Sequence, residues 1–317
     1  MSIVIQRPGI LTTVQDLGRN GYRRFGINPG GVIDRAAVRL INTLLGKSEN
    51  DAVLEMHFPA PRILFEKEAV IAIAGADFDP HLDGMPIPGW AAVRAAPGVV
   101  LTFPNKRLGN RSYLAIQSGL NIEPWLDSSS TSLSAKIGGF SGRRLEAGDR
   151  IDYRNADPLS LTAACISPWV VPNYSAYPTV RVLPGAEFDR LTDAGRERFL
   201  NGHFEISIKS DRMGFRLQGE PVELFGREEM VSSPVSFGTI QSLPDDQMII
   251  LMADHQTTGG YPRLAHVISY DLPLVGQLGP GDKISFKLVT HDEAETLEAD
   301  FARHLKFLRV GSRFESA

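Results

Sequence analysis

The stretches Leu145-Glu146-Ala147-Gly148-Asp149-Arg150-Ile151-Asp152-Tyr153 and Leu278-Gly279-Pro280-Gly281-Asp282-Lys283-Ile284-Ser285-Phe286 share one pattern, Leu-x-x-Gly-Asp-(Arg/Lys)-Ile-x-aromatic. In both, a glycine-containing turn leads into a short apolar strand. Each also follows an apolar strand that ends in glutamine and glycine, Tyr113–Gly119 in the first half and Met248–Gly260 in the second. The repeat predicts two related halves.

Short β-type runs dominate the rest of the chain, such as Ala69–Ala74, Thr179–Leu183 and Lys283–Val289. Clusters of Gly, Pro, Asn and Asp separate them as in all-β sandwiches and barrels, and regular βα alternation is absent. The sequence therefore predicts a mainly β protein of two domains, which fits a length of 317 residues. Three prolines within Pro168–Pro178 mark the boundary, so we expect an N-terminal domain of residues 1–170 and a C-terminal domain of residues 171–317.

Helices are predicted where a capping residue precedes apolar residues at helical spacing. Asp34 can cap a helix over Arg35–Leu45, and a shorter helix fits within Ala194–Leu200. Thr290 and Glu293 form a capping-box pattern at the start of a terminal helix. Its apolar positions are Ala294, Leu297, Phe301, Leu305 and Leu308. We expect this helix to belong to the C-terminal domain and to pack across one of the β-structured domains.

Composition argues against several classes of protein. The net charge is −4, whereas a nucleic-acid surface relies on concentrated Lys and Arg. A single cysteine, Cys165, excludes a disulfide framework, and its place in the apolar run Leu161–Ile166 predicts that it is buried. The seven histidines lack metal-ligand spacing, so no metal site is expected. No signal peptide and no membrane span is expected either, which favours the cytoplasm.

The stretch after the apolar run Met248–Met252 has the composition of a binding loop. Acceptors, donors and one aromatic ring occur within eight residues: Asp254, His255, Gln256, Thr257, Thr258, Gly259, Gly260 and Tyr261. The two glycines let a ligand approach the backbone. For His255 the sequence leaves open a role in proton transfer and a role as a hydrogen-bonded loop histidine.

Three further segments are polar in a similar way. Gln15-Asp16-Leu17-Gly18-Arg19-Asn20-Gly21-Tyr22 presents a glutamine, then glycines, then a tyrosine, as the loop does. Asp211–Leu217 places Arg212 and Arg216 around Gly214, and a hairpin with an Asp–Arg pair explains it equally well. Ser128–Ser132 is either a hydroxyl-lined loop or a flexible turn, and we favour the turn.

Gly46-Lys47-Ser48 superficially matches a phosphate-binding loop. However, Ile41 stands where the first glycine is required, and the triplet follows a helix instead of leading into one. We interpret it as a helix C-terminus with a lysine near the negative end of the helix dipole. No other segment carries a nucleotide-binding motif. If ATP is used, its pocket is therefore unconventional or lies on a partner.

Taken together, these segments resemble the family of the 5-oxoprolinase C subunit, also called the biotin-dependent carboxyltransferase or allophanate hydrolase subunit 2 family. The family includes a bacterial antagonist of a sporulation kinase inhibitor. The resemblance covers nearly the whole chain and rests on Gly9–Gly26, Gly138–Asp149, Asp211–Leu217 and Gln256–Pro262 followed by Asp271. It implies two cyclophilin-like closed β-barrel domains with a few short helices.

The resemblance also implies partners and an activity. The chain would join a smaller sister protein of the kinase-inhibitor family, the 5-oxoprolinase B subunit, and a third, lactam-hydrolase protein, the 5-oxoprolinase A subunit. The assembly hydrolyses the lactam of 5-oxo-L-proline to L-glutamate with ATP, which a partner or the subunit interface could bind. One alternative is a biotin-dependent carboxyltransferase subunit of the urea carboxylase or allophanate type, and biotin is expected only there. The other is a non-catalytic regulatory partner of the sister protein.

For lactam hydrolysis we expect the segments 15–19, 211–216 and 256–261 to meet in one cleft. The candidate catalytic residues, which would polarise the carbonyl, move protons or orient other groups, are Asp254, His255, Thr258 and Arg212. The candidate substrate-binding residues are Gln15, Asp16, Arg19, Gln256, Thr257, Gly259, Gly260 and Tyr261. Among these, Asp16 is also a candidate base or orienting group.

One position departs from the family pattern. The family usually has Gly-Ser-Arg-Ser-Thr where this chain has Asp127-Ser128-Ser129-Ser130-Thr131, so Ser129 replaces an arginine. If that arginine holds an anionic group, the loss of a charge-assisted contact costs about 1.5–3 kcal/mol. Such a loss is large enough to change the substrate.

Overall fold

The computed structural model describes residues 1–154, 164–226 and 230–314. Contacts divide the chain into two compact units. Unit 1 comprises Met1–Arg19, Gly30–Pro172 and the residues from Phe301 onward, and unit 2 comprises Asn20–Pro29 and Asn173–Asp300. The expected division into residues 1–170 and 171–317 therefore differs from the observed one mainly in two segments, Asn20–Pro29 and the C-terminal segment.

In unit 1 the described strands form two sheets around one core. The strands are β1 (Ser2–Arg7), β2 (Thr12–Gln15), β3 (Val53–His57), β4 (Arg62–Phe65), β5 (Ala69–Asp77), β6 (His81–Leu82), β7 (Met85–Pro86), β8 (Ala92–Ala95), β9 (Val100–Thr102), β10 (Leu108–Ile116) and β11 (Arg150–Asp152). One sheet has the order β11-β1-β4-β9-β6-β7 and the other β2-β3-β10-β5-β8. Apolar residues of both, including Ile3, Phe65, Leu54 and Leu114, form one buried cluster. Two sheets thus replace the single closed barrel expected for this half.

The described helices are α1 (Arg35–Leu44), α2 (Asp193–Asn201), α3 (Leu272–Gly276) and α4 (His291–Phe314). Two predicted caps are confirmed. The Asp34 carboxylate accepts a hydrogen bond from the Ala37 amide at 2.9 Å. At the start of α4, the Thr290 amide donates to Glu293 Oε2 at 2.7 Å, and the Glu293 amide donates to Thr290 Oγ1 at 3.2 Å.

A second apolar cluster lies between α1 and the sheet that contains β5. Ile41 and Leu44 of α1 pack there with Ala72 of β5. Because β5 is covered on both faces, its sequence is a continuous apolar run instead of an alternating one. Phe301 and Leu305 of α4 belong to the same cluster. Their burial is the reason that the end of α4 is grouped with unit 1 and not, as expected, with the C-terminal domain.

In unit 2 the expected closed barrel is present. The strands are β12 (Thr179–Pro184), β13 (Phe204–Ile206), β14 (Gly214–Gln218), β15 (Ser233–Pro234), β16 (Thr239–Ser242), β17 (Met248–Leu251), β18 (Thr258–Gly259), β19 (Arg263–Val267) and β20 (Lys283–Leu288). The barrel order is β12-β19-β16-β17-β14-β13-β20, and parallel pairing of β12 with β20 closes it. β15 and β18 form a separate two-stranded ribbon. The prediction of a mainly β protein is confirmed.

The sequence repeat corresponds to the same turn in both units. Gly148 and Gly281 have φ values of +91° and +88°, which glycine adopts without steric cost. The Asp149 carboxylate accepts from the amide three residues earlier at 2.7 Å, and the Asp282 carboxylate does the same at 2.8 Å. Ile5 exchanges two backbone hydrogen bonds with the first turn, and Ile206 exchanges two with the second. These matched contacts support an internal duplication.

Cys165 is exposed, so the prediction of a buried thiol is wrong. Residues 161–163 of the apolar run that suggested burial lie outside the described residues. Ile166 is buried against α1. Because neighbouring side chains in an extended segment point to opposite faces, the burial of Ile166 leaves its neighbour in solvent. In the described part of the chain, no helix is both long enough and apolar enough to cross a membrane.

Candidate functional site

Asp16 follows β2 in unit 1, and its carboxylate is buried, with 2% of the residue exposed. Four described groups donate to it: the Gly18 amide at 2.8 Å, the Ser129 amide at 2.6 Å, the Ser128 hydroxyl at 2.7 Å and the Ser130 hydroxyl. Both oxygens of the carboxylate are therefore engaged by groups within the protein. Of the two roles predicted for Asp16, this geometry favours the orienting group over the base.

The segment Ser128–Ser132 is not a flexible turn, so that prediction is wrong. Ser128, Ser130 and Thr131 are buried. The Thr131 hydroxyl donates to the carbonyl of Val14 at 2.8 Å. The hydroxyls are therefore used to tie the segment to β2 and to Asp16. Ser129 contributes through its backbone amide, so the loop is held in place with a serine at this position.

Gln15 and Arg19 are both buried beside this loop. The Gln15 side-chain amide donates to Thr13 Oγ1 at 3.1 Å and to the Thr131 carbonyl at 3.2 Å. Arg19 donates to the Ser130 carbonyl, and its guanidinium lies 5.0 Å from the ring centroid of Trp125. Both side chains support the Ser128–Thr131 loop from inside. Their predicted contact with substrate stays a prediction.

In unit 2 the structure brings together two candidate catalytic residues, Arg212 and Asp254. Arg212 Nε donates to Asp254 Oδ2 at 2.9 Å, and Nη2 donates to Oδ1 at 3.2 Å. The Asp254 amide also donates to the Arg212 carbonyl at 2.8 Å, which ties the end of β17 to the start of β14. Asn28 donates to the Asp254 carbonyl at 3.1 Å. A bidentate pair of this kind fixes both side chains, which suits an orienting role.

His255 is buried, and its Nδ1 atom lies 2.5 Å from the carbonyl oxygen of Gln256. A carbonyl oxygen only accepts, so Nδ1 carries the proton in this contact. The His255 amide donates to the Met252 carbonyl at 3.1 Å. Of the two alternatives for His255, the geometry favours the hydrogen-bonded loop histidine.

The loop residues 256–259 lie on or next to the ribbon of β15 and β18. Gln256 and Thr258 are exposed, and Thr257 is half-buried. The Thr257 carbonyl accepts from the Val235 amide at 3.2 Å. A Cβ at Gly259 would lie 2.9 Å from the Gln241 Nε2 atom, so a glycine fits closely there. The loop thus presents donors to solvent from a hydrogen-bonded backbone.

Gly260 and Tyr261 line a cavity of about 370 Å³ within unit 2. Its other walls include Leu224, Met230 and Leu243, and the Arg190 side chain adds a positive charge. Sequence reasoning missed Arg190, because no local pattern connects it with the loop. Beyond the loop, hydrogen bonds from Arg263 at the start of β19 lower the pKa of Glu187 below its ordinary value.

The predicted residues therefore fall into two groups, one in each unit. Gln15, Asp16 and Arg19 belong to the first group, and Arg212 with residues 254–261 belongs to the second. The cleft expected from segments 15–19, 211–216 and 256–261 would need residues of both units, and it stays a prediction. Within the described ranges, no group of three or more His, Cys, Asp or Glu residues is placed to hold a metal ion.

Comparisons with known proteins identify the family. The model of the carboxyltransferase domain, subdomain A and B, matches residues 25–288. The chain is 36% identical to the C subunit of 5-oxoprolinase from Haemophilus influenzae over 285 residues, which cover 90% of each protein. It is 35% identical to the C subunit of 5-oxoprolinase from Escherichia coli over 305 residues, or 96% of each.

A solved structure shows the same fold within a larger enzyme. Urea amidolyase of K. lactis superposes with a TM-score of 0.89 and 28% identity, over 97% of this chain and 20% of that protein. The match extends over both units. The chain therefore belongs to the carboxyltransferase domain family, subdomains A and B, together with the C subunits of 5-oxoprolinase.

Proposed function

We propose that this chain is one of the subunits of an ATP-dependent 5-oxoprolinase that hydrolyses 5-oxo-L-proline to L-glutamate, with the A and B subunits of that enzyme as its partners. The observation that carries the proposal is the similarity to the C subunits of two 5-oxoprolinases, which extends over 90–96% of both proteins. Urea amidolyase, in contrast, is matched over only 20% of its length. Sequence similarity over nearly the whole length of both proteins favours the role of the 5-oxoprolinase C subunits over that of urea amidolyase.

The chemistry adds one water across the C–N bond of the lactam. The carbonyl carbon gains the oxygen and becomes a carboxylate, and the ring nitrogen leaves as an amine. Hydrolysis of ATP to ADP and phosphate supplies the driving force. Charge develops on the carbonyl oxygen during attack, so donors fixed in advance lower the barrier. Gln256, Thr258 and the amide of Gly260 are the donors that we assign to this task.

Two features of unit 2 support the assignment. The Arg212–Asp254 pair and the β15–β18 ribbon hold the loop on both sides, so its donors lose little freedom when substrate binds. The cavity beside Gly260 and Tyr261 combines apolar walls with the Arg190 guanidinium. A small ring with one carboxylate has matching chemistry, because guanidinium groups bind carboxylates through two parallel hydrogen bonds.

The test is ATP-dependent glutamate release by the chain mixed with its two partners. We expect Asp254→Asn and Thr258→Ala to lower turnover about 100-fold, since misplacing a reacting group by about 1 Å has an effect of this size. Glu187→Gln is the matched control for Asp254, because Glu187 also forms a bidentate pair with an arginine and has the same side-chain exposure, 12%. Thr296→Ala, an exposed threonine of α4, is the control for Thr258.

Both loop variants should leave the folding of the chain intact, which thermal unfolding checks. If turnover is unchanged in both, residues 254–261 have no part in the mechanism. If only the controls lose activity, the assignment of the loop is also wrong.

A second function is favoured by the family model itself, which describes a carboxyltransferase domain. In that case the chain would accept a carboxyl group from biotin on a separate carrier protein and transfer it to urea. Transfer of labelled carboxyl from carboxybiotin to urea, with no glutamate formed from 5-oxo-L-proline, would establish this alternative. A stable complex with the sister protein but no turnover of any lactam or of urea would favour the regulatory role.

A further inference from the structure

Unit 1 contains a cavity of about 640 Å³ to which the proposed function assigns no role. Its lining includes Trp125, Lys136, Gly138, Gly142, Arg150 and Asp152. Ligand pockets for drug-sized molecules have volumes of roughly 300–1,000 Å³, so this cavity has room for a ligand as large as a nucleotide.

The wall at Gly138 is built against a buried arginine. Gly138 has a φ of +68°, and a Cβ at this position would lie 2.6 Å from the Arg19 Nη2 atom. Arg19 is 1% exposed, and its guanidinium therefore lies directly behind a residue that lines the cavity. Only glycine lets the backbone pass so close to the guanidinium.

Trp125 provides an aromatic wall that is fixed from inside the protein. The Arg19 guanidinium lies 5.0 Å from the centroid of its ring, a cation–π distance. The same residue lines the cavity. A tryptophan held in this way can stack on a planar base, because every nucleobase has a π-face.

The segment around the cavity has an unusual backbone. Leu126, Asp127, Lys136 and Ser141 all have φ values between +50° and +59°, a region that side chains other than glycine rarely adopt. Such residues are retained where the surroundings hold them, and they concentrate at ligand sites. Here the hydrogen bonds of Asp16 to the Ser128–Ser130 loop hold the middle of the segment.

The charged residues of the lining have both signs. Lys136 and Arg150 are cationic, with Arg150 also paired with Glu66, and Glu123 and Asp152 are anionic. A polyphosphate bound with Mg²⁺ needs both, because ammonium and guanidinium groups bind phosphate oxygens while one or two carboxylates hold the metal ion.

From these features we propose that the unit 1 cavity binds a nucleoside triphosphate with Mg²⁺, its base stacked on Trp125 and its phosphates near Lys136. The inference deepens the proposed function, on which it rests for the choice of ATP as the nucleotide. It places the nucleotide in this chain, at a site without a phosphate-loop motif, and not in a partner.

Calorimetric titration of the full chain with ATP and Mg²⁺ tests the proposal without partners or turnover. We expect saturable binding that Lys136→Gln weakens about tenfold and Trp125→Leu also weakens about tenfold, the losses typical of one charge-assisted contact and one stacked base. Lys67→Gln and Trp169→Leu are matched controls, because both residues are exposed and neither lines the cavity. Removing Mg²⁺ with a chelator should also weaken binding.

The proposal is overturned if ATP does not bind at millimolar concentration, or if binding is the same in both cavity variants. It is equally overturned if inorganic phosphate or 5-oxo-L-proline binds with the affinity of ATP and competes with it. Lys136 is exposed, so its variant remains informative even if Trp125→Leu fails to fold. If the chain binds ATP but the full assembly releases no glutamate, the proposed function is wrong and the proposal of an ATP site is not.

Discussion

Asp16 and Asp254 each follow a β-strand and open a polar, glycine-containing segment, but their surroundings differ. Asp16 accepts hydrogen bonds from four neutral donors and is buried, whereas the Asp254 carboxylate pairs with one guanidinium and the residue is half-buried. The hydroxyls near Asp16 are used inside the protein, while Thr258 near Asp254 faces solvent. Segments of similar composition thus support the fold in unit 1 and expose side chains to solvent in unit 2. We call the first of these the scaffold role.

If this contrast is right, removing the Asp16 carboxylate lowers the stability of the fold, whereas removing the Asp254 carboxylate lowers turnover. Asp16→Ala leaves buried donors without an acceptor and should lower the free energy of unfolding by about 3 kcal/mol or more, since each costs about 1–3 kcal/mol. Urea unfolding measures the loss, and Asp292→Ala, at an exposed aspartate of α4, is the control, with an expected loss below about 1 kcal/mol. A loss at Asp16 no larger than in the control would remove the scaffold role.

Glycines test the same contrast at a smaller scale. Gly138→Ala places a methyl group against Arg19 and the Ser130 backbone in a positive-φ residue. We expect a loss of about 2–5 kcal/mol, from about 1–2 kcal/mol for the backbone and about 1–3 kcal/mol for overpacking. Gly148 has a φ of +91°, but a Cβ at this position would meet no atom within 4 Å, so Gly148→Ala should show only the backbone cost. Gly259→Ala meets a flexible glutamine side chain, and we expect the smallest loss there.

Thermal or urea unfolding of these three glycine variants separates the contributions. Equal losses for Gly138→Ala and Gly148→Ala would show that the wall at Gly138 is not tightly packed. That outcome would also weaken the case for a fixed cavity in unit 1.

Lys47 shows what happens to a buried charge without hydrogen-bond partners among the described residues. Its side chain is 4% exposed, and no described group hydrogen-bonds its ammonium; Asp51 lies 3.7 Å away. Burial lowers the pKa of Lys47 to about 8. The unfolded chain therefore binds more protons between pH 8 and about 10.4, so stability should rise with pH across this window.

At pH 7 the buried ammonium opposes folding, and Lys47→Met should raise the free energy of unfolding by about 1–3 kcal/mol. The alkaline rise should disappear in the same variant. Lys67→Met, at an exposed lysine, should change neither. Urea unfolding at pH 7, 8 and 10 measures both effects, and a Lys47 variant no more stable than wild type at pH 7 would contradict the account.

What the sequence predicted well was local. The capping residues Asp34 and Thr290 are confirmed because a cap depends on three or four neighbouring residues. The repeated turns at Gly148 and Gly281 could be found because the motif carries its own hydrogen bonds. The closed barrel of unit 2 and the family followed from the order of such motifs along the chain.

What the sequence could not show depends on distant residues. The Ser128–Ser130 loop looks like a flexible turn until Asp16, 112 residues earlier, is placed against Ser128. The pairing of unit 1 strands into two sheets is also non-local, because a β-type run does not specify its partner. Arg190 joins Tyr261 at one cavity because the segment after β12 is hydrogen-bonded to the start of β19, about 75 residues later.

The most direct measurement is glutamate formed from 5-oxo-L-proline by the two partner proteins with ATP, with and without this chain. The account predicts glutamate and ADP in equal amounts only when the chain is present, and a strong loss with Thr258→Ala. Equal glutamate formation without the chain, or none in the complete mixture, would contradict it.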